Sequence, residues 1–308
     1  MLYAIVDLGS NTMRLCVYEQ SDGSLKSIFE KKTMAGLVNY IKNERLSSTG
    51  INRACSILEE YKLYIANFGI GEKELNVFAT ASLRNIVNTK EVIDKIKEVT
   101  GLHVELLSGE EEATLDFMGA IKVFQGESGT LVDIGGGSTE LVSFQDRQIQ
   151  YATSMPVGSL NLYVNYVKKI IPKEDERDLI REHVTEALHS LELKKEVSPC
   201  ICGVGGTMRA AVKLSNQIFG YPKENITVKT SDIKEMLTII HNSKRQTIAP
   251  ILQVIPDRIH TIIPGLIAVD TIAAFYGAEQ IIVSKYGVRE GYLYERIMKE
   301  NVYAPSGK

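Results

Sequence analysis

Tryptophan is absent from this 308-residue chain, and cysteine and histidine are scarce, at four and five residues. Cys16 and Cys55 stand alone in apolar surroundings. Cys200 and Cys202 alternate along a predicted strand and so point to opposite faces. No histidine completes a zinc pattern around them, so neither a disulfide framework nor a zinc site is expected. Long hydrophobic runs are missing too: no stretch approaches the roughly 20 apolar residues of a membrane span. The chain enters a strand pattern at once with "MLYAIVDLG", so no secretory signal is expected. The cytoplasm is the expected compartment, and a membrane is not an expected partner. A strong charge of either sign is lacking as well. The net charge of −3 argues against a nucleic-acid partner, which calls for a basic surface. It does not exclude a polyanionic substrate, because a local positive cleft can dominate the field there.

What the chain does contain is ordinary in bulk, 44% apolar and 24% charged residues, enough for two domains with separate cores. The unusual feature is local. "TLVDIGGGSTELVSF" at 130–144 places three consecutive glycines between two strand-like segments. "AIVDLGSNTMRLCVY" at 4–18 falls on the same template at a constant offset, with Val6/Val132, Asp7/Asp133, Gly9/Gly135 and Leu15/Leu141 identical. Each copy predicts a strand, a tight glycine turn and a second strand. The first copy continues through a third strand at 25–33, a helix at 49–68, a strand at 75–80, a helix at 89–99, a strand at 102–107 and a helix at 110–124. The second restarts with strands at 129–134, 139–145 and 147–155. Helices follow at 158–169 and 173–192, then a strand running into a glycine turn at "PCICGVGG". The remaining helices are expected from "TMRAAVKL" onward, at 231–241, 247–254, 264–276 and 288–299, with a strand at 279–284. The tail "NVYAPSGK" reads as frayed. Strands alternating with helices in this order predict an α/β chain of two related domains, 1–124 and 125–308, around a cleft.

A hairpin turned by glycines directs backbone N–H groups at one point and admits an anion close to the main chain. Two matching copies, plus a third glycine turn at Gly205, Gly206 and Thr207, therefore point to phosphate. Gly135, Gly136, Gly137 and Ser138 form the second loop, and Ser10 and Asn11 line the first. Asp7 and Asp133 end their strands beside these loops, where a carboxylate can hold a water or a hard divalent cation such as Mg²⁺.

The paired "DLGSN" and "DIGGGSTE" loops with the later "GGT" resemble the actin, hexokinase and heat-shock ATPase superfamily. "ATASLRN", "SGEEEA", "DIGGGSTEL", "GVGGT" and "GVREG" follow in order. That ordered set resembles the exopolyphosphatase and guanosine pentaphosphate phosphohydrolase family over nearly the whole chain. The resemblance implies two actin-like, ribonuclease H-like domains with the active site between them. It also implies a last helix, about 290–308, that returns to the first domain. Long members carry a further helical region, so this short form is expected to prefer shorter polymers. Inorganic polyphosphate and guanosine pentaphosphate (pppGpp) are the implied substrates, Mg²⁺ the cofactor and a homodimer a compatible assembly. Two stretches depart from the family pattern, "KKTMAGLVNYIKNERL" around Gly36 and "PDRIHT", where His260 stands in place of the usual aspartate.

In "SGEEEA", Ser108 and Glu111 have capping-box spacing, and Glu110 and Glu111 suit a helix N-terminus. Glu112 has no such structural task, and it matches the family's catalytic glutamate, the expected general base. A solvated surface glutamate is the alternative. Arg84 matches the family's phosphate-contacting arginine, a role that suits a planar guanidinium fork. Asp133 and Glu140 match acidic positions that the family needs for activity. Arg14 is the weakest candidate near the first loop, because strand alternation can turn it away. The pairs Lys168–Lys169 and Lys194–Lys195 read as solvated faces, with guidance of a polyanion the alternative. The rival functional classes are an actin-like ATPase or sugar kinase, which leaves "SGEEEA" and "ATASLRN" unexplained, and a non-catalytic nucleotide or polyphosphate sensor, which needs no base.

Overall fold

A computed structural model describes residues 1–21, 24–191 and 197–299. The Lys194–Lys195 pair, the middle of the "SDGS" turn and the "NVYAPSGK" tail lie outside these residues. The chain divides into two compact units, Met1–Gly109 and Glu110–Lys308.

In the first unit, β1 (Leu2–Leu8), β2 (Thr12–Ser21) and β3 (Ser24–Met34) form an antiparallel meander. A small hairpin, β4 (Ile41–Lys42) and β5 (Arg45–Leu46), leads to α1 (Ser48–Ala66). Ser47 starts that helix by accepting the Gly50 N–H on its side chain, which satisfies one of the orphan donors of the first turn. Then come β6 (Leu75–Ala79), the one-turn α2 (Ala81–Arg84), α3 (Thr89–Thr100) and β7 (Val104–Leu106). The sheet order is β3-β2-β1-β6-β7, with β6 parallel to both β1 and β7. Ile51, Ala54, Leu58, Tyr61 and Ile65 recur at helical spacing and form the buried stripe of α1 in this unit's core. The Tyr61 hydroxyl, buried at the sheet, donates to the Met13 carbonyl at 2.8 Å.

The second unit opens with α4 (Gly109–Ile121) and repeats the meander with β8 (Gly129–Ile134), β9 (Thr139–Gln145) and β10 (Gln148–Met155). Helices α5 (Ser159–Tyr166) and α6 (Glu174–Ser190) precede β11 (Cys200–Val204), and α7 (Gly205–Phe219) follows it directly. Beyond these lie β12 (Thr227–Lys229), α8 (Thr230–Ile239), α9 (Arg245–Val254), α10 (Ile262–Tyr276), β13 (Gln280–Val283) and α11 (Val288–Tyr292), which runs into a π-helical turn, Leu293–Ile297. The sheet order β10-β9-β8-β11-β13-β12 repeats that of the first unit and adds one strand. Helix α10 is buried along most of its length and is central to the core.

The division falls at Gly109/Glu110, earlier than the 124/125 boundary read from the sequence. Phe117 of α4 packs on Phe144 of β9, ring centroids 5.2 Å apart, which ties the helix to the second meander. The last helical turns do return to α4: Arg296 pairs with Glu111 at 2.9 Å, and Lys122 lies 5.0 Å from the Tyr294 ring centroid. Because α4 belongs to the second unit, those contacts are internal to it. All four cysteines are free; Cys16, Cys55 and Cys202 are buried and Cys200 is half-buried.

Candidate active site

The two glycine hairpins share one register. In the first, Val6 pairs with Leu15, Asp7 with Arg14 and Leu8 with Met13. In the second, Val132 pairs with Leu141, Asp133 with Glu140 and Ile134 with Thr139. Each loop closes with the same backbone bond, Gly9 N–H to Thr12 at 3.2 Å and Gly135 N–H to Ser138 at 2.9 Å. The internal repeat thus extends to hydrogen-bond pattern, and Glu140 occupies the position that Arg14 holds in the first copy. Arg14 pairs with Glu30 of β3 at 3.0 Å, a partner within the sheet. Glu140 is 1% exposed and accepts from Ser154 of β10 at 2.8 Å.

The start of α5 takes up the carbonyl groups of the second loop. Ser159 N–H donates to Gly135, Leu160 and Asn161 N–H to Gly136, and the Asn161 amide to Gly137, all at 2.9–3.1 Å. Gly158 lies so close that a Cβ there would be 2.3 Å from the Gly136 oxygen. Among the described residues, the N–H groups of Gly136 and Gly137 make no backbone–backbone hydrogen bond, so the loop offers two adjacent donors to an anion. In the first unit the segment after β3 plays the corresponding part. Ala35 and Gly36 N–H donate to the Asn11 carbonyl, and Val38 N–H to that of Ser10, at 2.8–3.1 Å. Gly36 has φ 61°, a left-handed conformation that glycine adopts without strain. The departure noted around Gly36 therefore supports its loop through backbone atoms rather than side chains.

Of the three adjacent glutamates, Glu110 is exposed, Glu111 half-buried and paired with Arg296, and only Glu112 is buried, at 9% exposure. Glu112 belongs to a group of carboxylates that feel one another: Asp133, Glu140 and Asp116, the last 1% exposed. Burial, then the charges of Asp133, Glu140 and Glu112, hold the Asp116 carboxyl well above the usual carboxylate range. Burial, then the charges of Glu112 and Asp133, do the same to Glu140, and hydrogen bonds from Ser138 and Ser154 oppose the shift. Asp116 was not a sequence candidate, although its spacing of four from Glu112 puts both on one face of α4.

The third glycine turn meets this cluster. A Cβ on Gly205 would lie 1.8 Å from Oδ1 of Asp133, and one on Gly206 2.0 Å from Nη2 of Arg258. Only glycine lets the start of α7 approach both groups so closely. Thr207 is 1% exposed with its hydroxyl buried, so this residue can offer an anion its backbone only. Arg258 was a second omission. It lies in the "PDRIHT" stretch, and only the folded chain brings its guanidinium to Gly206. His260, two residues on, is exposed and stacks edge-on against Tyr163, ring centroids 5.1 Å apart.

In the first unit, Asp7 and Ser10–Asn11 hold the places in their loop that Asp133 and the glycines hold in the second. Arg84 ends α2, half-buried, with Nη1 donating to the Leu107 carbonyl at 3.1 Å. Lys168 and Lys169 are exposed.

Two α/β units built on the same glycine hairpin, one carrying a buried carboxylate cluster at its phosphate-type loop, place the chain in the actin-like class. Comparison with known proteins makes this specific: the model of the Ppx/GppA phosphatase family matches residues 16–300, and the chain belongs to that family. The chain is 29% identical over 300 residues to a bifunctional 3-dehydroquinate synthase/phosphatase of Fusobacterium nucleatum, covering 92% of this chain and 45% of that longer protein. Exopolyphosphatase 1 of Mycobacterium tuberculosis is 23% identical over 310 residues, covering 97% of this chain and 89% of the relative. The solved structure of the Aquifex aeolicus Ppx/GppA family member superposes with a TM-score of 0.81 at 26% identity, covering 98% of this chain and 99% of that one. The fold class expected from the sequence is thereby established. Among the described residues no helix is long and apolar enough to cross a membrane.

Proposed function

We propose that this phosphohydrolase removes the terminal phosphate of inorganic polyphosphate. The observation that carries the reading is the second glycine loop. Its carbonyls are occupied by α5 while the N–H groups of Gly136 and Gly137 make no backbone–backbone hydrogen bond, beside a buried group of carboxylates. Backbone donors suit a run of phosphate oxygens of any length. The similarity to an exopolyphosphatase over 97% of the chain supports the same substrate class.

Within this reading, the N–H groups of Gly136, Gly137 and the Gly205–Gly206 turn hold the terminal phosphate, with the Arg258 guanidinium beside them. Ser10, Asn11 and Arg84 are the phosphate contacts of the first unit, and Ser138 supports the site through its bond to Glu140. Glu112 accepts a proton from the attacking water as its oxygen bonds to phosphorus and the bridging oxygen leaves with the shortened chain. Glu140, its carboxyl held above the usual carboxylate range by burial and by the charges of Glu112 and Asp133, helps to fix the water and Asp133.

The donor set also fits Mg²⁺. Its atoms are carboxylate oxygens, and their mutual repulsion and burial are what a divalent cation offsets. No three Asp, Glu, His or Cys side chains among the described residues suffice to hold a metal alone. Mg²⁺ characteristically completes its shell with water and substrate phosphates. Asp133 is the residue of the second unit that would hold it, with Asp7 its counterpart in the repeat of the first unit, and when bound it would neutralise charge on the phosphate oxygens. The same reading carries the cytoplasm as compartment and a homodimer as assembly.

The test is phosphate release from polyphosphate, pppGpp and ATP, measured side by side with Mg²⁺. Turnover of polyphosphate well above the other two is expected. Preference for pppGpp would move the protein to the second activity of its family, since both substrates end in the same anhydride. ATP turnover alone would favour an actin-like ATPase, and tight binding without release a sensor.

A further inference from the structure

We propose that Asp116 is a positioning residue for Glu112: by accepting the Val288 N–H it fixes the rotation of α4, and with it the place of the glutamate carboxylate one turn earlier. The proposal rests on Glu112 being the general base.

Asp116 lies between the buried apolar residues Leu115 and Phe117. Its Oδ1 accepts the Val288 N–H at 2.8 Å, across 172 residues of sequence. Its Oδ2 is equally buried and has no hydrogen-bond partner. A buried carboxyl with an unpaired oxygen is a burden on the fold, offset only in part by its one bond from Val288. Stability therefore does not explain the residue.

Geometry does. Around this turn α4 meets the Gly287–Gly291 segment backbone to backbone. A Cβ on Gly119 would lie 2.1 Å from the Gly287 oxygen, one on Gly291 1.8 Å from the Leu115 oxygen, and one on Gly287 3.0 Å from Oδ1 of Asp116. Glycine contacts of this kind set how near two backbones come. At this turn they carry no interlocking side chains of their own; the side-chain contacts that steady α4 lie at Glu111, Phe117 and Lys122. Two carboxylates supply what is missing. Glu290 Oε2 accepts the Gly287 N–H at 2.9 Å and orients the turn, and Asp116 takes the next N–H and joins that turn to α4. Residues 112 and 116 are one helical turn apart on one face, so a rotation at Asp116 becomes a displacement of Glu112.

The experiment compares Asp116→Asn and Asp116→Leu, each alone and combined with Glu112→Gln, by steady-state kinetics on polyphosphate with Mg²⁺ and by thermal melting. Asparagine keeps a carbonyl acceptor for Val288 and is expected to turn over close to wild type. Leucine is expected to fold, with a melting temperature close to wild type, because removal of the unpaired buried oxygen offsets loss of the acceptor for Val288. Its kcat should fall about tenfold to a hundredfold, the cost of a displacement near 1 Å at a reacting group, with KM little changed. In the Glu112→Gln background, Asp116→Leu should add no further loss. Asp116→Ala serves in the same comparison should leucine not pack. Wild-type kcat in Asp116→Leu, equal losses in the two single variants, a loss confined to KM, or losses that simply add would overturn the positioning role. Wild-type kcat in Glu112→Gln would instead remove the reading of Glu112 itself, and the proposal with it.

Discussion

Gly205 and Asp133 are in such close approach that a methyl group on the glycine would sit 1.8 Å from the Oδ1 of the aspartate. Gly205 also has φ 80°, outside the comfortable range of an L-residue. Gly205→Ala therefore brings two costs: a left-handed backbone, roughly 1–2 kcal/mol, and displacement of Asp133 or of the start of α7. The expected result is a lower melting temperature together with a loss of turnover that persists well below it. A variant that melts early but turns over normally at low temperature would show that the contact matters to folding alone.

The buried carboxyls make stability depend on pH with a definite sign. Asp116 and Glu140 keep their protons in the folded protein above the pH at which the unfolded chain, near pKa 4, releases them. Below about pH 4 both states are protonated and these groups are neutral in their effect. As pH rises past that value, the unfolded state gains by ionising and folding stability falls, until the folded groups themselves titrate. Asp116→Asn removes one such group and keeps its neutral shape. Melting temperatures measured without metal should then fall less between pH 5 and pH 8 in the variant than in wild type. Parallel curves would show that Asp116 ionises as freely in the folded state as in the unfolded.

Most of the fold was legible in the sequence because its signals are local. Alternation around "VDLGSNT" and "VDIGGGST" gives both hairpins, and the repeat gives their common register. Val132 and Leu141, matched to Val6 and Leu15, pair across the strands in both copies. What failed to show was set by distant contacts. The three-residue β12 is paired only by β13, from the far end of the chain. Helix α4 reads as the end of the first copy until Phe117 is seen against Phe144. Within the site, the glycines and the "EEE" run stand out by composition. Asp116 is a single acid in an apolar stretch, easily read as a solvated position. Its partner Val288 and the Gly206–Arg258 contact appear only when the chain is folded.

Arg84 tests whether charge or hydrogen-bond geometry holds the substrate. Its guanidinium is half-buried, with one nitrogen on the Leu107 carbonyl, a bond that steadies the fork. Arg84→Ala should raise KM sharply. Arg84→Lys should raise it less, because lysine keeps the charge and loses the bidentate fork. Unchanged kinetics in both variants would exclude Arg84 from the site.

Asp133→Asn replaces a hard anionic donor by a neutral one in nearly the same space, against Gly205. The variant should fold, and its rate should need a higher Mg²⁺ concentration, since hard cations favour carboxylate oxygens. A Mg²⁺ titration coinciding with that of wild type would rule out Asp133 as a ligand. Chelation of the wild-type protein should abolish turnover and leave the melt of the unliganded fold in place.

Burial now separates the three glutamates more sharply than capping rules did. Glu112 alone is buried, within a group of carboxylates, while Glu110 is exposed and Glu111 reaches Arg296. Glu112→Gln keeps the shape of the side chain and its capacity for hydrogen bonds, but an amide cannot take the proton of the attacking water. General-base catalysis is typically worth roughly 10²–10⁴-fold, so kcat should fall by about that factor. Affinity for polyphosphate should persist or tighten, because phosphate is held by backbone N–H groups and arginines, and one repelling charge is gone. Glu111→Gln loses an ion pair whose partners are both more than a third exposed, an interaction worth no more than about 1 kcal/mol. It should shift the melting temperature slightly and leave kcat alone, and Glu110→Gln should do less. Turnover, polyphosphate affinity and melting temperature measured on the three variants decide the matter. Wild-type turnover in Glu112→Gln, or loss of activity in Glu111→Gln in its place, would move the base elsewhere on the helix.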